Sequence, residues 1–155
     1  MQPTPTSRLR DLGYELPDVP QPAGSYVPAV VTGSLIFTAG QLPFQKGSLL
    51  HTGKVDDTVR VEEAQDAARL CALNALAALS DVVGLDEIGR IVKVTGYVAS
   101  SDGFVRQPEV LNGASNFLGE IFGDTGVHVR SAVGVAQLPL DAPVEVEVIA
   151  EVKGR

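Results

Sequence analysis

Cysteine occurs once in this chain of 155 residues, at Cys71, so no intrachain disulfide can form and no cysteine-based metal site is plausible. A reducing compartment fits that usage. Histidine occurs twice, at His51 and His128, and neither has a second histidine or a cysteine close by in sequence, so no metal site is expected. Basic residues are outnumbered, 12 against 19 acidic ones, and the net charge of −7 is opposite in sign to what a phosphate backbone selects. Nucleic acid is therefore disfavoured as a partner. A long apolar run is also missing: the greasiest stretch, Leu70 to Leu79, contains Asn74 and is too short to cross a bilayer. The N-terminus carries no charged-then-apolar leader pattern, and the expectation is a cytoplasmic protein without a membrane partner.

What the chain does have is enough apolar content, 45%, for one compact domain over residues 1–155. Residues 1–22 read as an arm, with Pro3, Pro5, Pro17, Pro20 and Pro22 and a short helical segment near Ser7 to Leu12 that stops at Gly13. Tyr26 to Val31 and Ser34 to Ala39 flank Thr32-Gly33, a two-residue hairpin signal. Gly40 to Thr58 shows no period and reads as loop. From Val61 to Val83 apolar residues recur at Val61, Ala64, Ala68, Cys71, Ala75, Leu79 and Val82, the spacing of one helix face, and Gly84 suits its end. Cys71 on that stripe reads as a small core residue.

Arg90 to Val98 reads as a strand with Val92, Val94 and Val98 on one face and Tyr97 on the other. A second helix is predicted from Pro108 to Phe122, its stripe formed by Val110, Ala114, Phe117 and Ile121. Gly113 and Gly119 weaken it and predict close approach of another element.

The last quarter, Val127 to Glu151, holds two strand-like runs about a Leu138 to Pro143 turn. On the first, Arg130, Ala132, Gly134 and Ala136 share a face, a guanidinium beside very small side chains, which leaves room for a ligand. On the second, Val144, Val146, Val148, Ala150 and Val152 form an apolar face, with Glu145, Glu147 and Glu151 opposite. Paired as a hairpin, the runs put Arg130 near Glu151 and leave Glu145 on the order of 20 Å away. An Arg130 and Glu145 so separated serve one small-molecule pocket only if that pocket lies between chains. The whole is an α+β reading in ββαβαββ order, one sheet with two helices on one face and the other face in need of cover.

Four segments together resemble the RidA (YjgF-like) family, the reactive-intermediate or enamine/imine deaminases of chorismate-mutase-like fold. They are Gly24-Ser25-Tyr26-Val27-Pro28-Ala29-Val30, Phe37-Thr38-Ala39-Gly40-Gln41-Leu42-Pro43, Leu111-Asn112-Gly113-Ala114, and Arg130-Ser131 through Leu138-Pro139 to Val144-Glu145-Val146-Glu147. The resemblance implies a homotrimer with sites at the subunit clefts and hydrolysis of 2-imino acids to 2-keto acids and ammonia. It makes Arg130 the ligand of a substrate carboxylate and Glu145 the acid that positions or polarises water. Tyr26, Ala39, Gly40, Asn112 and Ala132 become pocket-lining residues. Ala132 stands where many members have cysteine, Val129 where they have proline, and Ala39 where they have serine, which suggests a divergent branch.

Plainer readings compete. Arg130 is equally a candidate ion-pair partner for Glu151, Glu145 and Glu147 a solvated strand face, Tyr26 a hairpin aromatic and Asn112 a polar residue at a helix start. His128 has no assigned role. The function expected is imine deamination without metal or organic cofactor, its small-molecule partner an imino or keto acid carboxylate. A non-catalytic carboxylate sensor is the alternative, and a ribonuclease or translation inhibitor is opposed by the charge.

Overall fold

The computed structural model describes residues 1–154. Helix α1, Pro5–Asp11, is short, with Pro5 in its first turn and Thr4 capping it through its hydroxyl. It is pinned rather than loose: Leu9 is buried, the Thr6 amide donates to Asp86 at 2.8 Å, and Tyr14 meets the edge of Phe117. The arm thus covers the end of the helical layer.

Strands β1, Ala29–Thr32, and β2, Leu35–Thr38, form the expected hairpin, but the loop is Gly33-Ser34, one residue later than the Thr32-Gly33 signal. Gly33 takes a φ of +57°, the left-handed start that a two-residue turn requires and that glycine adopts freely. Inside the stretch expected to be loop, Phe44–Gln45 (β3) and Ser48–Leu49 (β4) pair as a small separate hairpin. Two-residue strands are too short to show a period in sequence, and Asn74 of the following helix clamps them by donating to the carbonyls of Leu42 and Phe44.

Helix α2, Val61–Val83, has the predicted bounds, with a capping box between Arg60 and Glu63 at its start and Gly84 at its end. Its stripe is buried except Val82, which is 41% exposed because the last turn projects past the packed layer. Cys71 lies in the core, and burial pushes its thiol well above the usual range, as suits an inert packing residue. Helix α3, Gln107–Phe122, buries Val110, Ala114, Phe117 and Ile121 as expected. Gly113 lies against the backbone of Gln65 in α2, where any side chain would collide, but Gly119 has nothing within 4 Å and faces a cleft instead.

Strand β5, Ile88–Ala99, buries Ile91, Val94 and Val98 toward the helices. Val92 was expected on that face. A register irregularity between Ile91 and Lys93 shifts the phase and leaves Val92 only half-buried. Strands β6, Val129–Val135, and β7, Val144–Val152, complete a five-stranded sheet in the order β1-β2-β7-β5-β6.

This order overturns the terminal hairpin. β6 runs parallel to β5, and β7 lies antiparallel on the other side of β5, so the two never pair. Arg130 sits in register with Val94 and, across it, Val148, and is not beside Glu151, whose neighbours are Leu35 and Arg90. The alternation expected within β7 holds: its five alternate apolar residues from Val144 to Val152 are buried. Both long helices pack on that face, and the other carries Val30, Phe37 and Val129, at 53%, 38% and 65% exposure, in one cross-strand row with Ile149 and Lys93.

Candidate functional site

Arg130 belongs to edge strand β6 and points to the helical side. Its Nη1 donates to Asn112 Oδ1 at 2.9 Å and Ser115 Oγ at 3.1 Å, and its Nη2 to the Pro108 carbonyl at 3.2 Å. All three acceptors are neutral and come from the first turns of α3, which packs on β5 and β6 through the absence of a side chain at Gly96 under Leu111. Among the described residues Arg130 has no carboxylate partner. Three of its five N–H groups are used, leaving one on Nε and one on Nη2, so a charged donor edge is held in place with nothing to neutralise it. Ala132, two residues on, is partly buried beside Gly96 and adds no bulk.

Glu145 lies elsewhere. It is in register with Tyr97 and Val133, three residues along the sheet and two strands across from Arg130, roughly 14 Å by strand geometry. It also projects from the opposite face, since its neighbours Val144 and Val146 are the buried ones. Half-buried and without a hydrogen-bond partner among the described residues, its carboxyl is held above the usual range by desolvation and by the Glu147 charge. Gly40 explains its placement: the Glu145 carboxylate occupies the space that a Cβ at Gly40 would fill.

Tyr26 and Gly40 share a small cavity with Pro28, Gln41 and Leu140. Tyr26 is 52% exposed, and its hydroxyl accepts from the Ala23 amide at 3.2 Å. Ala39 is fixed there by its amide, which donates to the Pro28 carbonyl at 2.7 Å. Glu147 takes a different partner, accepting from the Tyr97 hydroxyl at 3.1 Å.

The candidate residues therefore fall into two groups, Arg130 with Asn112 and Ala132 on the helical side of one edge, and Glu145 with Gly40, Ala39 and Tyr26 on the other side. Arg130 and Glu145 do not meet within one chain, as expected, but the hairpin spacing is not the reason: they face opposite ways across the sheet. Two residues of the first group were missed. Ser115 stands three residues after Asn112 on the same helix face, and its hydroxyl lies 2.9 Å from His128 Nε2 while His128 Nδ1 lies 2.7 Å from the Gly126 carbonyl. The i, i+3 spacing of Asn112 and Ser115 and the i, i+2 spacing of His128 and Arg130 were the available signals.

Among the described residues no cluster of three or more His, Cys, Asp or Glu side chains is arranged to hold a metal ion, and no helix is long and apolar enough to cross a membrane.

An α+β fold of one main sheet and two long helices defines a known class. The chain belongs to the family described as YjgF/chorismate mutase-like, putative endoribonuclease, which matches residues 6–152. It is 41% identical to Protein TCP17 of Trypanosoma cruzi over 94% of this chain and 92% of that one. It is 30% identical to the 2-iminobutanoate/2-iminopropanoate deaminase of Salmonella typhimurium, over 86% of this chain and 91% of the relative. Among solved structures, an endoribonuclease-like protein of Shewanella oneidensis superposes with a TM-score of 0.94 at 36% identity, covering 97% of this chain and 100% of that one. Escherichia coli TdcF with bound serine gives 0.62 at 31% identity, covering 86% and 92%.

Proposed function

We propose that this protein hydrolyses reactive 2-imino acids to 2-keto acids and ammonia at clefts between copies of the chain, assembled as a homotrimer. The observation that carries the reading is the uncompensated Arg130 guanidinium, braced by neutral acceptors with a free donor edge. Such an edge suits a planar carboxylate, and a 2-imino acid held by its carboxylate presents the imine carbon a fixed distance away. Orientation then supplies the larger part of the acceleration. The imine is already electrophilic. Glu145, brought by a second copy, orients the attacking water, and its raised pKa makes it a better acceptor for the water's proton than an ordinary carboxylate.

Three observations support the assembly. Arg130 and Glu145 lie on opposite faces of one sheet, the face carrying Glu145 exposes an apolar row at Val30, Phe37 and Val129, and Ala39, Gly40 and Tyr26 gather at the Glu145 end. A relative that bears a deaminase name and another with serine bound point to small amino-acid-derived ligands. The family description also carries an endoribonuclease wording, but a net charge of −7 works against phosphate-backbone binding.

The test generates imines in place with an amino acid oxidase and follows semicarbazide-trapped imine. Faster loss with wild type, abolished in folded Arg130→Ala, is the expected result. No acceleration across small, aliphatic and aromatic imines with the oligomer intact would refute it, and ligand binding without turnover would then favour a carboxylate sensor.

A further inference from the structure

Between the N-terminal arm, α2 and the β3–β4 hairpin lies a cavity of about 610 Å³, within the usual size of small-molecule sites, roughly 300–1,000 Å³. None of Arg130, Asn112, Tyr26, Gly40 and Glu145 lines it. The helix contributes Asn74, which is 1% exposed. Its Nδ2 spends both protons on the carbonyls of Leu42 and Phe44, at 3.0 and 3.1 Å, and two carbonyls can be met only by N–H, so the amide cannot be turned round. Asn74 Oδ1 is then a buried acceptor, and among the described residues it meets no donor. Such a group is costly to leave unpaired. Two opposite charges line the same cavity: Asp18 from the arm and Lys46 from the hairpin turn, neither in an ion pair among the described residues. Lys46 opens the two-residue Lys46-Gly47 turn at a φ of +51°, where asparagine or glycine is the ordinary choice, so the turn carries a cation at some cost to the backbone. The arm's share of the lining, Pro17 to Gln21, makes no hydrogen bond among the described residues. It is tied at its ends, by the Tyr14 amide to the Leu9 carbonyl and the Ala23 amide to the Tyr26 hydroxyl.

We propose that this cavity is a second ligand site, separate from the Arg130 cleft, and that it binds a free α-amino acid with an apolar side chain. The ammonium group supplies the N–H that Asn74 Oδ1 lacks, and Asp18 offsets its charge. The carboxylate goes to Lys46. Pro17, Val19 and Phe44 receive the side chain. Each part of the lining rejects a simpler ligand. A keto acid has no donor for Asn74, an amine leaves Lys46 without a partner, and a hydrocarbon meets neither charge and leaves the buried oxygen unpaired. A single water would satisfy Asn74 Oδ1 but gives no reason for the two unpaired charges beside it. The site makes no use of imine chemistry and stands independently of the deaminase reading.

The experiment is isothermal titration calorimetry of the full chain, as wild type and as Arg130→Ala, with L-leucine and three analogues. 4-Methyl-2-oxopentanoate lacks the ammonium, 3-methylbutylamine lacks the carboxylate, and N,N,N-trimethyl-L-leucine keeps both charges but has no N–H. Leucine is expected to saturate one site per chain in both proteins. In Arg130→Ala, where the cleft is silenced, each analogue should bind at least about tenfold more weakly than leucine, having lost one charge-assisted contact. Lys46→Asn removes the cation and suits the left-handed turn, and Asp18→Asn removes the anion. Each should weaken leucine binding at least about tenfold with circular dichroism and oligomer size unchanged. Leucine binding lost in Arg130→Ala but kept in Lys46→Asn would place the amino acid in the Arg130 cleft and overturn the second site. Binding unchanged in both Lys46→Asn and Asp18→Asn would overturn it as well. No saturable heat from leucine at millimolar concentration would do the same and leave Asn74 Oδ1 to a buried water. None of these results touches the deaminase reading, which the imine assay decides.

Discussion

At the scale of single residues, the site depends on what three side chains lack. Arg130 lacks an acid, so its charge is available to a ligand. Arg130→Lys keeps the charge but loses the planar donor edge, and the expected outcome is a rise in KM for imino acid of at least about tenfold with the fold intact. Glu145 lacks a hydrogen bond and sits partly desolvated, with a folded-state pKa above the ordinary carboxylate value. Ionising it therefore costs more in the folded than in the unfolded chain, so its contribution turns unfavourable as pH rises through that range. Glu145→Gln is expected to raise Tm at pH 7, and the gain should vanish below about pH 4, where both forms are neutral. Gly40 lacks a Cβ, and the Glu145 carboxylate fills the space. Because that carboxylate is the far end of a flexible chain, Gly40→Ala should displace it and lower kcat about tenfold or more while Tm moves little. Thermal melts beside the imine assay separate the two effects. Arg130, Glu145, Asn112 and Tyr26 were all legible as candidates in sequence. Ser115 and His128 left only their spacings to Asn112 and Arg130 as signals, since a lone serine on a helix and a lone histidine near a strand acquire meaning only when α3 lies on β6.

At the scale of elements, periodicity served the long segments and failed where pairing mattered. The 23-residue α2 repeats its apolar spacing often enough to set its own bounds, and α3 does the same over 16 residues. The final two strands showed their faces plainly, because alternation is local, yet their pairing was misread. Adjacency in sequence suggested a hairpin, whereas β5 inserts between them and pairs with both. Pairing is a non-local property, and the Leu138–Pro143 connection, with Leu140 and Asp141 at φ of +57° and +58°, is a wider crossing than a hairpin turn. The contact between helices is more local and more testable. Gly113 abuts the Gln65 backbone, which has no rotamer to yield, so Gly113→Ala is expected to destabilise the protein by about 1–3 kcal/mol. Gly119→Ala, at a helix position with nothing within 4 Å, should stabilise by up to about 1 kcal/mol. Chemical denaturation of the two variants checks both signs.

At the scale of the whole molecule, the sheet has one face under helices and one left with apolar side chains, and the candidate residues are divided between them. A charge within the apolar part of the open row, Phe37→Asp, is expected to give a folded but dissociated and inactive chain, measured by sedimentation and by the imine assay. The central claim is that a working site needs Arg130 from one copy and Glu145 from another, and the most direct measurement is complementation. Arg130→Ala and Glu145→Gln chains, each severely impaired alone, are mixed at equal amounts, unfolded, refolded together and assayed for imine hydrolysis. If the halves come from different copies, random assembly restores about one quarter of wild-type activity, since one in four clefts receives both intact groups. Recovery no greater than the sum of the separately refolded variants, with mixed oligomers shown to have formed, would contradict the account.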